Sequence, residues 1–195
     1  MIARWEGGIV DEIIRVECQT VRFFEGLEVD GYRMPSGEFR VGLTGASLVL
    51  GYKENWLRRI LSRGGTALNA LRGLGFTEQI EEVVRETVRG DREVRTIGLR
   101  DFNRLIAYAV ADGKKAALAL QLALTEVALN DFFVDAFGEP PLTIEEKRRL
   151  FYEAYAATIS PENWQEMDRE DILRLALPGD EPHLLWGLWN ALRGE

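Results

Sequence analysis

The chain has 195 residues, 46% of them hydrophobic, a single cysteine and a formal net charge of -8. That length suffices to bury an apolar core without disulfide staples. Lone Cys18 excludes an internal disulfide or a multi-thiolate metal site and fits a reducing compartment, the cytosol.

Met1 to Val10 carries Arg4 and Glu6 and lacks the apolar core of a signal peptide. The charge is uneven along the chain. Residues 1–75 hold ten Lys or Arg against nine Asp or Glu, whereas residues 76–195 hold 14 against 23. Within the first part, Lys53 to Arg72 contains Lys53, Arg58, Arg59, Arg63 and Arg72 against Glu54 alone, a local basic patch.

In chain order, Thr20 to Val41 is rich in Val, Phe and Tyr. It is broken at Asp30-Gly31 and at Pro35-Ser36-Gly37, which predicts short strands joined by tight turns. From Thr44 the pattern turns helical. Thr44 caps a short helix containing Ala46 to Leu50, Gly51 stops it, and Glu54 to Ser62 makes a second, with Arg63 just beyond its end. Leu48, Leu50, Leu57, Ile60 and Leu61 are expected to hold the pair together.

A short helix is predicted around Ala67 to Arg72, a longer one from Glu78 to Arg89 capped by Thr77, then a strand at Glu93 to Ile97. A boundary between Gly90 and Leu99 divides residues 1–95 from a helical module, 96–195. The second part reads as helices at Arg100 to Ala111, Lys114 to Phe137, and from a Thr143/Glu146 capping box through Ala157. Further helices are expected after Ser160-Pro161, at Asp168 to Ala176 and at Pro182 to Leu192. The expected class is α+β.

Ala116 to Ala128 is apolar on nearly all faces, so it must be covered, either within the core or by an oligomer interface. Gln121, Glu126, Asn130, Asp131 and Asp135 interrupt the apolar run, and charges at a bilayer centre each cost roughly 2.5–3.5 kcal/mol, which argues against a membrane span.

Catalytic patterns are weak. His183 is the single histidine, without a nucleophile motif such as GxSxG, and reads as the start of the last helix. Glu126, Asn130, Asp131 and Asp135 share a helix but lack a second ligand-bearing segment, so a solvated stripe is expected rather than a metal site. No Walker or GxGxxG pattern follows a strand. The expectation is a non-enzymatic protein without cofactors or metal.

The informative stretch is Gly31 to Arg63, where a hairpin leads into two short helices separated by a glycine turn. The second carries Asn55, Arg58 and Arg59, with Arg63 following. In a helix-turn-helix this helix enters the major groove, where Arg reads guanine and Asn reads adenine. The stretch resembles the KilA-N and Bro-N domains of phage antirepressors and related bacterial regulators. The likeness rests on DGY at 30–32, Glu38-Phe39-Arg40-Val41, LGY at 50–52 and Trp56-Leu57, and covers about a third of the chain. It implies a DNA-binding N-terminal module joined to a variable helical module.

The expected function is thus DNA binding in transcription regulation or antirepression, through Lys53, Asn55, Arg58, Arg59 and Arg63. Solvation of that cationic face is the competing reading, and a protein-interaction adaptor working through the acidic helical half is the alternative function. A homodimer through the C-terminal half is expected from the Ala-rich helix and from Leu184, Leu185, Leu188, Trp189 and Leu192.

Overall fold

The computed structural model describes residues 14–87 and 90–159. The fold is α+β: a five-stranded antiparallel sheet followed, and interrupted, by helices. Strands β1 (Glu17–Phe24), β2 (Leu27–Arg33) and β3 (Phe39–Gly42) form a meander. Three short helices follow, α1 (Leu43–Val49), α2 (Trp56–Arg63) and α3 (Thr66–Gly73), then β4 (Glu81–Thr87) and β5 (Gly90–Gly98), and finally α4 (Leu99–Ala111), α5 (Lys115–Ala136) and α6 (Ile144–Ile159).

The strand order is β1-β2-β3-β5-β4. The two edges of this sheet meet: Val84 N–H donates to Ile14 O (2.8 Å) and Val16 N–H to Val84 O (3.1 Å), a parallel bridge just ahead of β1. Arg15 fastens the junction through Glu86 (2.9 Å) and Asp91 (3.4 Å). Curling the sheet in this way satisfies backbone groups that a free edge would leave open. It also encloses a small apolar cluster of Tyr32, Met34 and Val83, with Ile14, Val16, Cys18 and Val94 against it.

The opposite face of the sheet carries the main core. Val29, Val41 and Ile97 meet Leu43, Ala46, Val49, Leu57 and Ile60 of α1 and α2, and Phe102, Leu105 and Ile106 of α4. Gly45 permits this approach, since a Cβ there would stand 2.8 Å from Val29 Cγ2. Gly90–Gly98 is the strand β5, Leu99 opens α4, and one hydrophobic core includes residues on both sides, from Val29 to Phe151.

Several predicted elements change identity. Asp30-Gly31 is not a turn but lies within β2, opposite Thr20 and Gln19 of β1. The reversal falls at Glu25-Gly26, where Gly26 has φ +96°. Glycine is needed at 31 because a Cβ would meet Val21 Cγ2 at 2.7 Å. The helix predicted for Glu78 to Arg89 is instead β4 as far as Thr87. Its expected cap is claimed elsewhere: Thr77 N–H and Oγ1–H both donate to the buried carboxylate of Asp101, at 2.9 and 2.8 Å. Glu78 then takes φ +58° and pairs with Arg72.

The C-terminal helices follow the sequence more closely. Thr143 and Glu146 form the reciprocal capping box: Thr143 N–H donates to Glu146 Oε2 (2.8 Å) and Glu146 N–H to Thr143 Oγ1 (3.3 Å). These bonds, the Thr143 backbone foremost, hold the Glu146 carboxyl below the usual range. Gly138, with φ +69°, ends the turn after α5.

α5 is the one described helix long and apolar enough to cross a membrane, with a mean hydropathy of 1.4. One side of it buries Ala117, Ala119, Leu120 and Ala123. Its other side remains exposed. Aromatic stacking anchors α6 to the sheet, with Phe23 and Phe151 centroids 5.2 Å apart and Tyr155 at 5.2 Å from Phe24. The helices expected after Ser160, and His183 with them, lie outside the described residues, as does Met1 to Val10.

Candidate nucleic-acid interface

α1 and α2 are set at a fixed angle by the six residues between them. Gly51 adopts φ +81°, a conformation that favours glycine and ends α1. Leu50 and Leu57 are wholly buried and Ile60 nearly so, while Leu61 is half-buried. Leu48, expected between the helices, instead points outward and is 53% exposed. α1 starts one residue earlier than Thr44, with Gly42 rather than Thr44 at its N-cap.

Tyr52 and Trp56 bind α2 to the rest of the protein. Their rings stack at 3.7 Å with 7° between planes, Tyr108 of α4 lies 5.9 Å beyond Trp56, and Lys114 Nζ sits 4.8 Å over Tyr52. Tyr52 O–H donates to Asp112 Oδ2 at 2.8 Å. The LGY and Trp-Leu motifs are therefore packing residues that orient α2.

Burial, then the bond and charge of Asp112, raise the Tyr52 hydroxyl pKa well above its ordinary value of about 10. A folded-state pKa above the unfolded one contributes stability that is complete below about pH 10 and is lost as pH rises further. Urea midpoints are therefore expected to fall between pH 9 and 11, and to fall less in Tyr52→Phe. Equal pH dependence of the two proteins would contradict this coupling.

Ser47, which carries no distinguishing signal in the sequence, joins the two helices. Its buried hydroxyl donates to Leu43 O (2.9 Å) and accepts from Leu57 N–H (3.4 Å), satisfying an otherwise open amide in the first turn of α2. Ser47 O also accepts from Leu50 and Tyr52 N–H, at 3.3 and 3.0 Å. Asn55 is the N-cap residue of α2, but its side chain makes no capping bond.

Opposite Leu57 and Ile60, α2 turns Asn55, Arg58, Arg59 and Arg63 outward. At 100° per residue these four fall within an arc of about 140°. All are exposed, as is Lys53 in the preceding turn. Arg63 lies inside α2, as its last residue, rather than past its end. Among the described residues, Lys53, Arg58, Arg59 and Arg63 make no ion pair. Arg15, Arg22, Arg33, Arg40, Arg72, Arg85 and Arg95 all do. The structure thus sets Asn55, Arg58, Arg59 and Arg63 on one outward side of α2, with exposed Lys53 two residues before its N-cap.

Beside α2 lies a cleft of about 730 Å³ between α1, β2 and the β4–β5 hairpin. Arg58 lines it, with Arg85, Arg92 and Arg95 balanced by Glu28, Asp30, Glu82 and Glu93. Arg85 is held there by Asp30 Oδ2 (3.1 Å) and Cys18 Sγ (3.2 Å). Burial and the nearby Cys18 and Asp30 raise the Tyr32 hydroxyl pKa in the same cluster.

Among the described residues, no group of three or more His, Cys, Asp or Glu side chains is placed to hold a metal ion. Asp131 instead pairs with Lys147 at 2.7 Å, and Asn130 Nδ2–H donates to Glu126 O at 3.0 Å. Comparison with protein-family models, with curated proteins and with solved structures finds no match.

Proposed function

We propose that this protein is a non-enzymatic, cytoplasmic DNA-binding regulator, of transcription or of a repressor, whose α2 enters the major groove. The observation carrying this reading is the outward face of α2: Arg58, Arg59 and Arg63, three cations without ion-pair partners among the described residues, with Lys53 in the preceding turn, in a chain of net charge -8. Most other described arginines pair with a carboxylate, whereas Arg58, Arg59 and Arg63 stand side by side on one helix face without one, open to an anionic partner. The KilA-N and Bro-N resemblance supports the same reading.

In this reading Asn55, at the N-cap, and Arg58, on the first turn, approach base edges. Lys53, Arg59 and Arg63 take phosphates, since phosphate contacts position a recognition helix and base contacts specify. The experiment is an anisotropy titration of the full chain against mixed-sequence duplex DNA at several salt concentrations. Three phosphate contacts predict a slope of log K on log salt of about -2.7, or roughly a 40-fold weaker complex at 200 mM than at 50 mM. Absence of binding at 50 mM salt would refute the reading.

A second reading, a protein-interaction adaptor, is favoured by the exposed apolar residues of α5, Leu122, Leu129, Phe132 and Phe133 among them. An adaptor gives no DNA complex in the same titration.

A further inference from the structure

Along the exposed side of α5, Leu118, Leu122, Thr125, Leu129, Phe132 and Ala136 recur at alternating spacings of four and three. That is the 3.5-residue period of a helix-pairing seam, sustained over about 27 Å. All six are exposed, and Leu129 and Phe132 reach 54% and 74%. The side against α4 and α6 is a different one, carrying Leu120, Ala123 and Val127. α5 therefore has two apolar faces, and the protein's own helices α4 and α6 cover one.

We propose that the seam is the contact surface for α5 of a second copy of this chain, packed antiparallel about a two-fold axis near Val127. The period calls for a straight helix of comparable length, which α5 itself provides. An isologous pairing requires a self-complementary face. In the antiparallel register Leu118 meets Ala136, Thr125 meets Leu129 and Leu122 meets Phe132, so two of the leucines face smaller residues and the third packs against an aromatic ring.

Charge selects the same direction. Lys114 and Lys115 stand at the start of α5 and Asp135 and Glu139 at its end. Antiparallel packing places Lys115 of one copy beside Glu139 of the other, whereas parallel packing sets like charges together. The large apolar side chains along this face, with Phe133 and Phe137 at its flank, expose on the order of 700 Å² per copy. A standard-size stable interface takes about 800 Å² from each partner.

The test uses the full chain. Multi-angle light scattering at tens of micromolar is expected to give a dimer for the wild type and monomers for Leu129→Glu and Leu122→Glu, with helix content by circular dichroism unchanged. Both residues are exposed, and two variants guard against a misfolded one. Direction is read in a Cys18→Ser background by mild oxidation. An equimolar mixture of Leu122→Cys and Phe132→Cys chains is expected to form the mixed disulfide, and Leu122→Cys alone none. A monomeric wild type, which would leave the face to another occupant such as the chain beyond Ile159, overturns the proposal. So does a dimer that survives both glutamates, or a disulfide formed by Leu122→Cys alone.

Discussion

Replacing Arg40 by Ala is expected to lower the unfolding free energy by about 3–5 kcal/mol, the range for removing one partner of a buried charged network. The Arg40 side chain is only 2% exposed, yet it reaches four residues, Glu38, Gln79, Glu81 and Thr96. Its Nε–H donates to Thr96 Oγ1 (3.0 Å), Nη1–H to Glu38 Oε1 (2.8 Å), and Nη2–H to Gln79 O (2.6 Å) and Thr96 O (3.3 Å). Glu81 Oε1 lies 3.4 Å from Nη1.

The guanidinium thereby locks β3 to β5 and both to the segment entering β4. The carboxylates of Glu38 and Glu81 are partly exposed and can rehydrate when it is removed. The buried Thr96, whose hydroxyl and carbonyl both accept from Arg40, cannot do so as readily, and unsatisfied buried acceptors dominate the loss. Arg40→Lys is expected to recover only part of it, because an ammonium cannot reproduce a planar fork. Urea unfolding followed by tryptophan fluorescence measures the difference. A loss below about 1 kcal/mol for Arg40→Ala would show that water replaces the network.

Arg40 illustrates where the sequence is readable and where it is not. In β3 the apolar Phe39 is exposed while Arg40, Val41 and Gly42 are buried, and nothing local marks Arg40 as buried, because every partner except Glu38 lies about 40 or more residues away. The strand β4 is hidden from the sequence for the same reason. Glu81-Glu82-Val83-Val84-Arg85-Glu86-Thr87 follows a helix-capping threonine and contains helix-compatible charges. What decides its state is β5 across the hairpin and Asp101, which takes Thr77 out of the capping role. Asp30-Gly31 reads as a turn by composition, yet Gly31 is there to let Val21 of β1 lie against β2.

The helices were legible because their signals are local. Thr143 with Glu146, Gly113, Gly138 and the spacing of Phe102, Leu105, Ile106 and Ala109 act within a few residues of where they stand. The cationic face of α2 was legible in the same way, since Leu57 and Ile60 define the inward side and leave Asn55, Arg58, Arg59 and Arg63 outside. Ser47 was not, because a serine within an apolar helix gives no sign that it bonds an amide ten residues on. The cleft beside α2 was hidden with β4, whose residues form one of its walls.

The remaining large effect concerns α2 itself, and it divides the five candidate residues into two groups. Arg58→Ala and Asn55→Ala are each expected to weaken the complex with a preferred sequence by roughly 1–3 kcal/mol, because a bidentate base contact discriminates by that amount. Binding to scrambled DNA should change little. Arg59→Ala and Arg63→Ala should instead weaken binding to every sequence alike and make the salt slope shallower by about 0.9 for each lost phosphate contact. None of these side chains makes an ion pair among the described residues, so the fold should be unaffected by their loss.

The decisive measurement is the affinity of the wild type and these four variants for a duplex selected from a random pool and for its scrambled counterpart, each at several salt concentrations. A specific loss for Asn55→Ala and Arg58→Ala, set against a uniform loss with a shallower slope for Arg59→Ala and Arg63→Ala, is the predicted result. Unchanged affinity across all four, or failure of the wild type to select any sequence, would contradict the account and leave the outward face of α2 as solvated surface.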